Sequence, residues 1–251
     1  MKKSRFDLSS SALHIIGMVI MLMDHAYVTI ATGHDWLTWV GRIAFPIFAF
    51  LTAEGYRRTK NFKGYVGRML LFAVLAEIPF NLMCTGGSGI FYPLHQNVLF
   101  TFVIALVMMR CVDKARDKGK MALTMFFSGA LLLVGMLLGN FLFVDYYGAG
   151  VVTVLVFYFI GERKWWCFLL QAACLYYINT EMLGGLTVPV ELFGYSFELH
   201  QQLTALLALI PIWLYRGRKG NESVLFRFAC YFFYPAHILL LVALQLLGVR
   251  L

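Results

Sequence analysis

The sequence predicts an all-α membrane protein, a polytopic helical bundle of about nine transmembrane helices with a cytoplasmic N-terminus. Its 251 residues are 61% hydrophobic and only 14% charged, with a mean hydropathy of +0.75. Soluble domains are about 45–50% apolar and about 25% charged. Apolar runs long enough to cross a bilayer recur along the whole chain. The alternating segments of about 10 residues typical of transmembrane strands are not found, so we expect the spans to be helices.

Nine apolar segments, each roughly 17–24 residues long, fit the thickness of a membrane. They cover residues 11–31, 37–56, 64–84, 96–112, 121–143, 146–161, 164–181, 198–216 and 225–248. The connections are short, so we expect a single membrane domain over residues 1–251. The connection 182–197 is long and fairly apolar. It is compatible with a re-entrant or interfacial segment and with a tenth span, and we favour nine spans.

Basic residues alternate between connections, and this alternation predicts the orientation. They lie at the N-terminus and in the even-numbered connections: Lys2, Lys3, Arg5, Arg57, Arg58, Lys60, Lys63, Arg110, Lys114, Arg116, Lys118, Lys120, Arg163, Lys164, Arg216, Arg218 and Lys219. The odd-numbered connections contain none. The positive-inside rule therefore places the N-terminus in the cytoplasm and the C-terminus outside. The same pattern explains the net charge of +8 by contact with the lipid bilayer, so no nucleic-acid partner is expected.

Familiar soluble-enzyme motifs are missing from the sequence. There is no P-loop, no HExxH and no GxSxG. The five cysteines, Cys84, Cys111, Cys167, Cys174 and Cys230, form no CxxC pair. We therefore expect neither a disulfide framework nor a metal site.

The first span carries Asp24 and His25 well inside its apolar run. An ionisable side chain inside a bilayer costs roughly 2.5–3.5 kcal/mol or more, so such residues indicate function by default. At 1.5 Å per residue, His25 lies about 9 Å below the outer boundary, Arg42 about 8 Å and Glu77 about 10 Å. Three different spans thus place charged groups at one depth. A structural ion pair between Asp24 and Arg42 is the alternative interpretation.

Other polar groups fall in or near the same outer half of the membrane. Asn81 shares a helix face with Glu77, and His237 lies near the middle of the last span. His95, Asn97, Asp145 and His200 lie at outer helix ends, where helix capping is an alternative to substrate binding. Together these residues predict a polar cavity under short outer loops.

The available chemistry suits acyl transfer. Histidine can take a proton from an amine or hydroxyl, a carboxylate can orient the imidazole, and arginine can stabilise developing negative charge. The same groups suit a proton-coupled small-molecule transporter, and a non-catalytic membrane chaperone is a third possibility. Residue chemistry alone does not decide between them.

Six stretches resemble the TraX family, named for the conjugal-pilus protein that acetylates pilin N-termini. They are LSSSALHIIGMVIMLMDH (8–25), GRIAFPIFAFLTAEGYRRTKN (41–61), LLFAVLAEIPFNLM (70–83), HQNVLFT (95–101), DYYGAG (145–150) and FYPAHILLL (233–241). The family is similar to a wider group of membrane acyltransferases that take acyl-coenzyme A from the cytoplasm and modify acceptors outside. In that group a histidine late in the first helix is catalytic, and His25 occupies its place.

The resemblance implies a bacterial inner-membrane acyltransferase, with acetyl-coenzyme A as co-substrate and no metal. Its acceptor would be a pilin-like protein, an envelope glycan or a small molecule. We expect catalysis by Asp24, His25, Arg42 and His237, with His25 as general base oriented by Asp24 and with Arg42 or Asn97 steadying the thioester oxygen. Substrate would contact Glu77, Asn81, His95, Asn97, Asp145 and His200, and coenzyme A would contact Arg57, Arg58, Lys60 and Lys63. Whether the acyl group rests on the protein stays open.

Overall fold

A computed structural model describes residues 7–117, 119, 121–192, 194–221 and 223–251, and this part of the chain is mainly helical. The α-helices are α1 (Ser10–Thr29), α2 (Trp36–Gly41), α3 (Ala44–Arg58), α4 (Phe62–Cys84), α5 (Val98–Arg116), α6 (Met121–Phe141), α7 (Tyr147–Phe159), α8 (Trp165–Tyr177), α9 (Leu209–Leu214) and α10 (Val224–Leu246). A π-helical turn, Ile178–Met182, extends α8, and a 3-10 helix, Gln201–Ala208, precedes α9.

Five helical segments are long and apolar enough to cross a membrane, so the chain is a multi-pass membrane protein. They are Ser10–Thr29, Trp36–Arg58, Phe62–Cys84, Met121–Phe141 and Val224–Leu246. The other four predicted spans fall on α5, α7, α8 and residues 201–214. Their crossing of the membrane stays a prediction.

Helices α3, α5 and α7 form the centre of the bundle and supply most of its buried apolar side chains. Helix α7 has only 13 residues but is buried along nearly its whole length. Helix α6 packs closely on it through glycines. A Cβ atom added to Gly148 would lie 2.4 Å from the carbonyl oxygen of Met136, so only glycine allows this approach.

The second predicted span is divided in two by a turn. Arg42 and Ile43 separate α2 from α3. Because Pro46 has no N–H, the carbonyl of Arg42 cannot receive its α-helical hydrogen bond. The interruption lies one turn before Pro46, whereas α10 continues through Pro235 without one.

Two short pairs of strands accompany the helices, and the sequence did not predict them. Strands β1 (Leu8–Ser9) and β4 (Tyr215–Arg218) form a short parallel pair, and β2 (Thr187–Leu192) and β3 (Tyr195–His200) form an antiparallel hairpin. The eighth helical segment consequently begins at Gln201 and not at residue 198. The hairpin is rich in Val, Thr, Tyr and Phe, which favour strands, and Gly194 adopts a φ of +81° at its turn.

Side-chain contacts gather the Arg-bearing connections on one end of the bundle, which we call the basic face. Arg57 donates a hydrogen bond to the carbonyl of Tyr158 at 3.0 Å, and Arg58 donates to the carbonyl of Gly217 at 2.8 Å. Three connections distant in sequence therefore meet there. The predicted charges at Lys2, Lys3, Arg5, Lys118 and Lys120 lie outside the described residues.

The connections without Lys or Arg gather at the opposite end, which we call the far face. Backbone hydrogen bonds of 2.8 Å join Gln96 to Phe143 and Asp145 to Gln96, linking the connection before α5 to the one before α7. The N–H of Leu251 donates to the carbonyl of Ile30 at 2.7 Å, so the C-terminus lies beside the end of α1. The alternation of charge along the sequence therefore corresponds to two physical faces.

Candidate functional site

Two imidazoles from the first and last helices form the centre of the candidate site. Nδ1 of His25 in α1 lies 2.7 Å from Nε2 of His237 in α10. The two ring planes differ by 5°. The two rings are therefore nearly coplanar, and the distance between their nitrogens is that of a hydrogen bond in the plane of the rings. We call this pair the histidine dyad; His237 is buried and His25 is half-buried.

A backbone carbonyl determines which nitrogens of the dyad carry protons. Nδ1 of His237 lies 2.6 Å from the carbonyl oxygen of Phe233, which can only accept a hydrogen bond, so Nδ1 is protonated. In a neutral His237, Nε2 must then accept, and Nδ1–H of His25 is its donor. Nε2 of a neutral His25 consequently keeps its lone pair. No hydrogen bond among the described residues uses this atom, so it is available to accept one.

Asp24 does not orient His25, which corrects the predicted arrangement. Adjacent residues of a helix point in different directions. Asp24 instead accepts a hydrogen bond from Nη2 of Arg42 at 3.1 Å, the structural ion pair left open above. The same nitrogen donates to Thr38 at 2.7 Å. A Cβ atom at Gly41 would lie 2.3 Å from the Asp24 carboxylate, so this ion pair requires a glycine beside it.

His95 and Asp145 form a second charged pair on the far face. Nε2 of His95 lies 3.2 Å from a carboxylate oxygen of Asp145. Its hydrogen bonds to Asp145 and to the thiol of Cys84 raise the pKa of His95 to about 10. His95 is therefore a cation at neutral pH, and the pair is an ion pair.

The loop that carries Asp145 is held in a strained conformation. Phe143, Tyr146 and Tyr147 have φ values of 51°, 59° and 47°, a region that residues other than glycine rarely adopt. The hydroxyl of Thr101 donates to the carbonyl of Asp145 at 2.7 Å and helps to hold the loop. Such strain persists where the surroundings enforce it, often at functional sites.

Glu77 and Asn97 tie α4 to α5. The Asn97 side-chain amide donates to Glu77 at 2.5 Å and to the carbonyl of Ala73 at 2.8 Å, and its oxygen accepts from the N–H of Leu99. Both amide hydrogens of Asn97 are thus engaged, so Asn97 has none left to steady a thioester oxygen. The second carboxylate oxygen of Glu77 is buried and has no partner among the described residues.

A cavity of about 530 Å³ opens beside Arg42 and the His95–Asp145 pair, and neither histidine of the dyad lines it. Its walls include Arg42, His95, Asp145, Tyr146 and Gln202. Two buried atoms of the lining residues, Nε of Arg42 and Oε1 of Gln202, have no hydrogen-bond partner among the described residues. Both atoms belong to residues that line the cavity, but the atoms themselves are buried.

The remaining predicted residues are dispersed. Asn81 donates to the carbonyl of Ile90 at 3.1 Å, and His200 ends β3 with its Nδ1 buried and unpaired. Neither lines the cavity. Arg57 and Arg58 are engaged with backbone carbonyls and with Glu54 on the basic face, whereas Lys60 and Lys63 there are exposed.

Comparison with known proteins now adds the family. The model of the family described as TraX protein matches residues 9–245. This chain belongs to the TraX family. The probable fimbrial assembly protein FimC, serogroup H1, of Dichelobacter nodosus is 28% identical to it over 254 residues, covering 96% of this chain and 97% of the relative. No solved structure matches. The resemblance stated from the sequence is confirmed, and the TraX match contains every residue of the histidine dyad and the cavity.

Sequence reasoning missed part of this TraX-family site. It did not pair His25 with His237, because 212 residues separate them. Tyr146 stacks on Phe45 with ring centroids 3.8 Å apart, but a tyrosine in an apolar sequence carries no signal of its own. Only the Asp-Tyr-Tyr-Gly stretch itself, quoted for the resemblance, pointed to the strained loop.

Proposed function

We propose that this TraX-family protein is a membrane-embedded acyltransferase that moves an acetyl group from acetyl-coenzyme A to an amine or hydroxyl acceptor. The observation that carries the proposal is the histidine dyad, because its tautomers leave Nε2 of His25 as a base. The chemistry expected of a histidine late in the first helix of related acyltransferases agrees with this position. The site lies within a bilayer, where an unprotonated imidazole is favoured over a charged one.

The proposed reaction moves one proton and one acyl group. Nε2 of His25 takes a proton from the acceptor as its nitrogen or oxygen bonds to the thioester carbonyl carbon. The carbon–sulfur bond then breaks, and the imidazolium returns the proton to the departing thiolate. His237 acts throughout as a positioning residue, since its Nε2 accepts from His25 and favours the charged form of that ring.

Arg42 is the proposed electrostatic partner of the thioester oxygen. Its Nη2 is occupied by Asp24 and Thr38, but its buried Nε–H has no partner among the described residues. An unpaired donor held by an ion pair is suited to stabilise negative charge that develops only in the transition state. Asp24 would therefore orient Arg42 and not His25.

The donor would approach from the basic face and the acceptor from the far face. Lys60 and Lys63 are exposed on the basic face and can attract the phosphates of coenzyme A. Arg57 and Arg58 add to the positive electrostatic potential there, but their guanidinium groups already donate hydrogen bonds to backbone carbonyls. The acceptor would enter the cavity beside Arg42. The relative from Dichelobacter nodosus is named a probable fimbrial assembly protein, and this name favours a pilin-like acceptor over a glycan or small molecule.

The proposal includes nine crossings of a bacterial inner membrane, with the basic face in the cytoplasm. The positive-inside rule supports this orientation. Because nine is an odd number of crossings, the N- and C-termini lie on opposite faces of the membrane. Leu251 beside the end of α1 agrees with that arrangement.

The decisive experiment measures release of free coenzyme A by the purified protein in lipid, with candidate acceptors added one at a time. We expect acceptor-dependent release, and its loss in a correctly inserted His25→Ala variant. A proton-coupled transporter would instead move substrate into proteoliposomes without coenzyme A. A chaperone would retain its function after replacement of the dyad. Wild-type release by the His25→Ala variant would refute the mechanism.

A further inference from the structure

The hairpin formed by β2 and β3 on the far face is amphipathic. Successive side chains of a strand point to opposite faces, and directly opposed residues of two paired strands share a face. The register therefore places Val188, Val190, Tyr195, Phe197 and Leu199 on one face. The opposite face carries Thr187, Pro189, Glu191, Ser196, Glu198 and His200.

The apolar face of the hairpin is largely open. Tyr195 is 78% exposed, Phe197 43% and Val188 41%. A lone two-stranded hairpin is marginally stable in water and needs a surface to pack against. Something outside the described residues must therefore cover much of this face.

The hairpin continues the lipid-facing surface of the bundle. It follows the far-face end of α8, where Tyr176 and Tyr177 are 53% and 59% exposed, and Leu186 immediately before β2 is 70% exposed. Tyrosines are enriched where a membrane meets water, because their rings are apolar and their hydroxyls polar. Tyr195 extends this row of exposed aromatic side chains onto the hairpin.

A second copy of the chain fits the apolar face less well than lipid does. Specific protein interfaces bury upwards of about 1,000 Å² in total, and five side chains on two short strands offer much less. Glu191 and Glu198 on the opposite face suit water and disfavour insertion of the whole hairpin into the bilayer core.

We propose that the hairpin lies flat on the bilayer at the far face, with its apolar side chains among the lipid headgroups and first methylene groups. The residues that flank it, Met182, Leu183 and Gln202, line the cavity beside Arg42. The hairpin therefore holds the mouth of that cavity at the level of the membrane surface. This proposal is independent of acyl transfer.

The test compares neighbouring positions on opposite faces of β3 in the full chain. Phe197→Cys and Ser196→Cys are made separately after replacement of the five native cysteines, labelled with an environment-sensitive fluorophore, and reconstituted in phosphatidylcholine vesicles. We expect nitroxide-bearing lipid to quench the label at position 197 several-fold more than at 196, and iodide in the water to show the reverse order. Val190→Cys and Glu191→Cys repeat the comparison on β2 if the first pair fails to fold.

Three outcomes would overturn the proposal. Equal quenching of both labels by iodide would mean that the hairpin stands in water. Equal quenching of both by lipid would mean that it inserts as a re-entrant segment. Protection of position 197 only after addition of a purified fimbrial subunit would mean that a protein, and not lipid, covers the apolar face.

Discussion

The two ends of the bundle use the same kinds of polar residue in opposite ways. Near the basic face, Asp113 accepts hydrogen bonds of 2.5 Å from both Tyr56 and Tyr158, and Glu54 accepts from Arg58 and Tyr215. These contacts join α3, α5, α7 and β4. Carboxylate oxygens that are fully bonded to neighbouring elements stabilise the fold and leave little capacity for a ligand.

Toward the far face, polar side chains are left partly unpaired. Seven buried side-chain atoms of the described residues have no hydrogen-bond partner, and six of them lie in this half: those of Arg42, Glu77, Asn81, His200, Gln202 and Gln245. An unpaired buried polar atom costs about 1–3 kcal/mol. That cost is concentrated at one end, where Arg42 and Gln202 also line the cavity, and this contrasts with the fully bonded network at the basic face.

Two histidines sharpen this comparison. His14 in α1 and His237 in α10 each bond through Nδ1 to the carbonyl four residues earlier in their own helix, at 2.8 and 2.6 Å. Only His237 also contacts a second imidazole. The bond between Nδ1 and the carbonyl four residues earlier therefore occurs in both halves of the bundle, whereas the histidine–histidine contact occurs only in the far half.

The largest predicted effect is on the dyad. His237→Ala removes the acceptor for Nδ1–H of His25, so the tautomer of His25 is no longer fixed. We expect kcat for coenzyme A release to fall about 10- to 100-fold with little change in KM. His14→Ala is the matched control and should retain the wild-type rate. Equal losses in both variants would show that the dyad has no special role.

The second prediction concerns the glycine beside the Asp24–Arg42 pair. Gly41→Ala places a methyl group against the Asp24 carboxylate, so we expect a loss of about 1–3 kcal/mol in unfolding free energy together with reduced transfer. Gly67→Ala in α4 is the control, because a Cβ there meets nothing within 4 Å. Thermal unfolding in detergent measures both. A Gly41→Ala protein as stable and active as Gly67→Ala would mean that the ion pair is dispensable.

The third prediction separates stability from rate at the basic face. Asp113→Ala leaves two tyrosine hydroxyls without their acceptor, so unfolding free energy should fall by about 1–2 kcal/mol. The rate per folded molecule should stay at the wild-type value, because Asp113 lies at the other end from the dyad. Active-site titration of the folded fraction distinguishes the two quantities. A reduced rate per folded molecule would place Asp113 in the reaction.

The fold was predictable where one segment decides it, and less so where distant segments meet. Apolar length placed all five membrane-length segments, but it did not predict the interruption between α2 and α3. That Asp24 and Arg42 lie at a common level also followed from the rise per residue, since the two residues contact each other. The partner of His25 did not, because α1 and α10 are adjacent only through folding of the whole chain. The hairpin was missed because the sequence of each strand alone resembles an apolar loop. Its apolar and polar faces become evident only when the register that pairs β2 with β3 is known.

The smallest predicted effect is the pH dependence of the His95–Asp145 pair. Folding raises the pKa of His95 from 6.5 to about 10, so the stabilisation is complete below pH 6.5 and is lost as the pH rises through about 10. For a partly exposed pair we expect about 0.2–1 kcal/mol. The difference in stability between wild type and His95→Gln should therefore be largest below pH 6.5, fall steadily between pH 6.5 and about 10, and be lost above that. Lysines and tyrosines titrate in both proteins, so their contribution cancels. A difference that stays constant up to pH 11 would mean that His95 contributes through packing, and the far half would then hold one charged pair fewer than its geometry indicates.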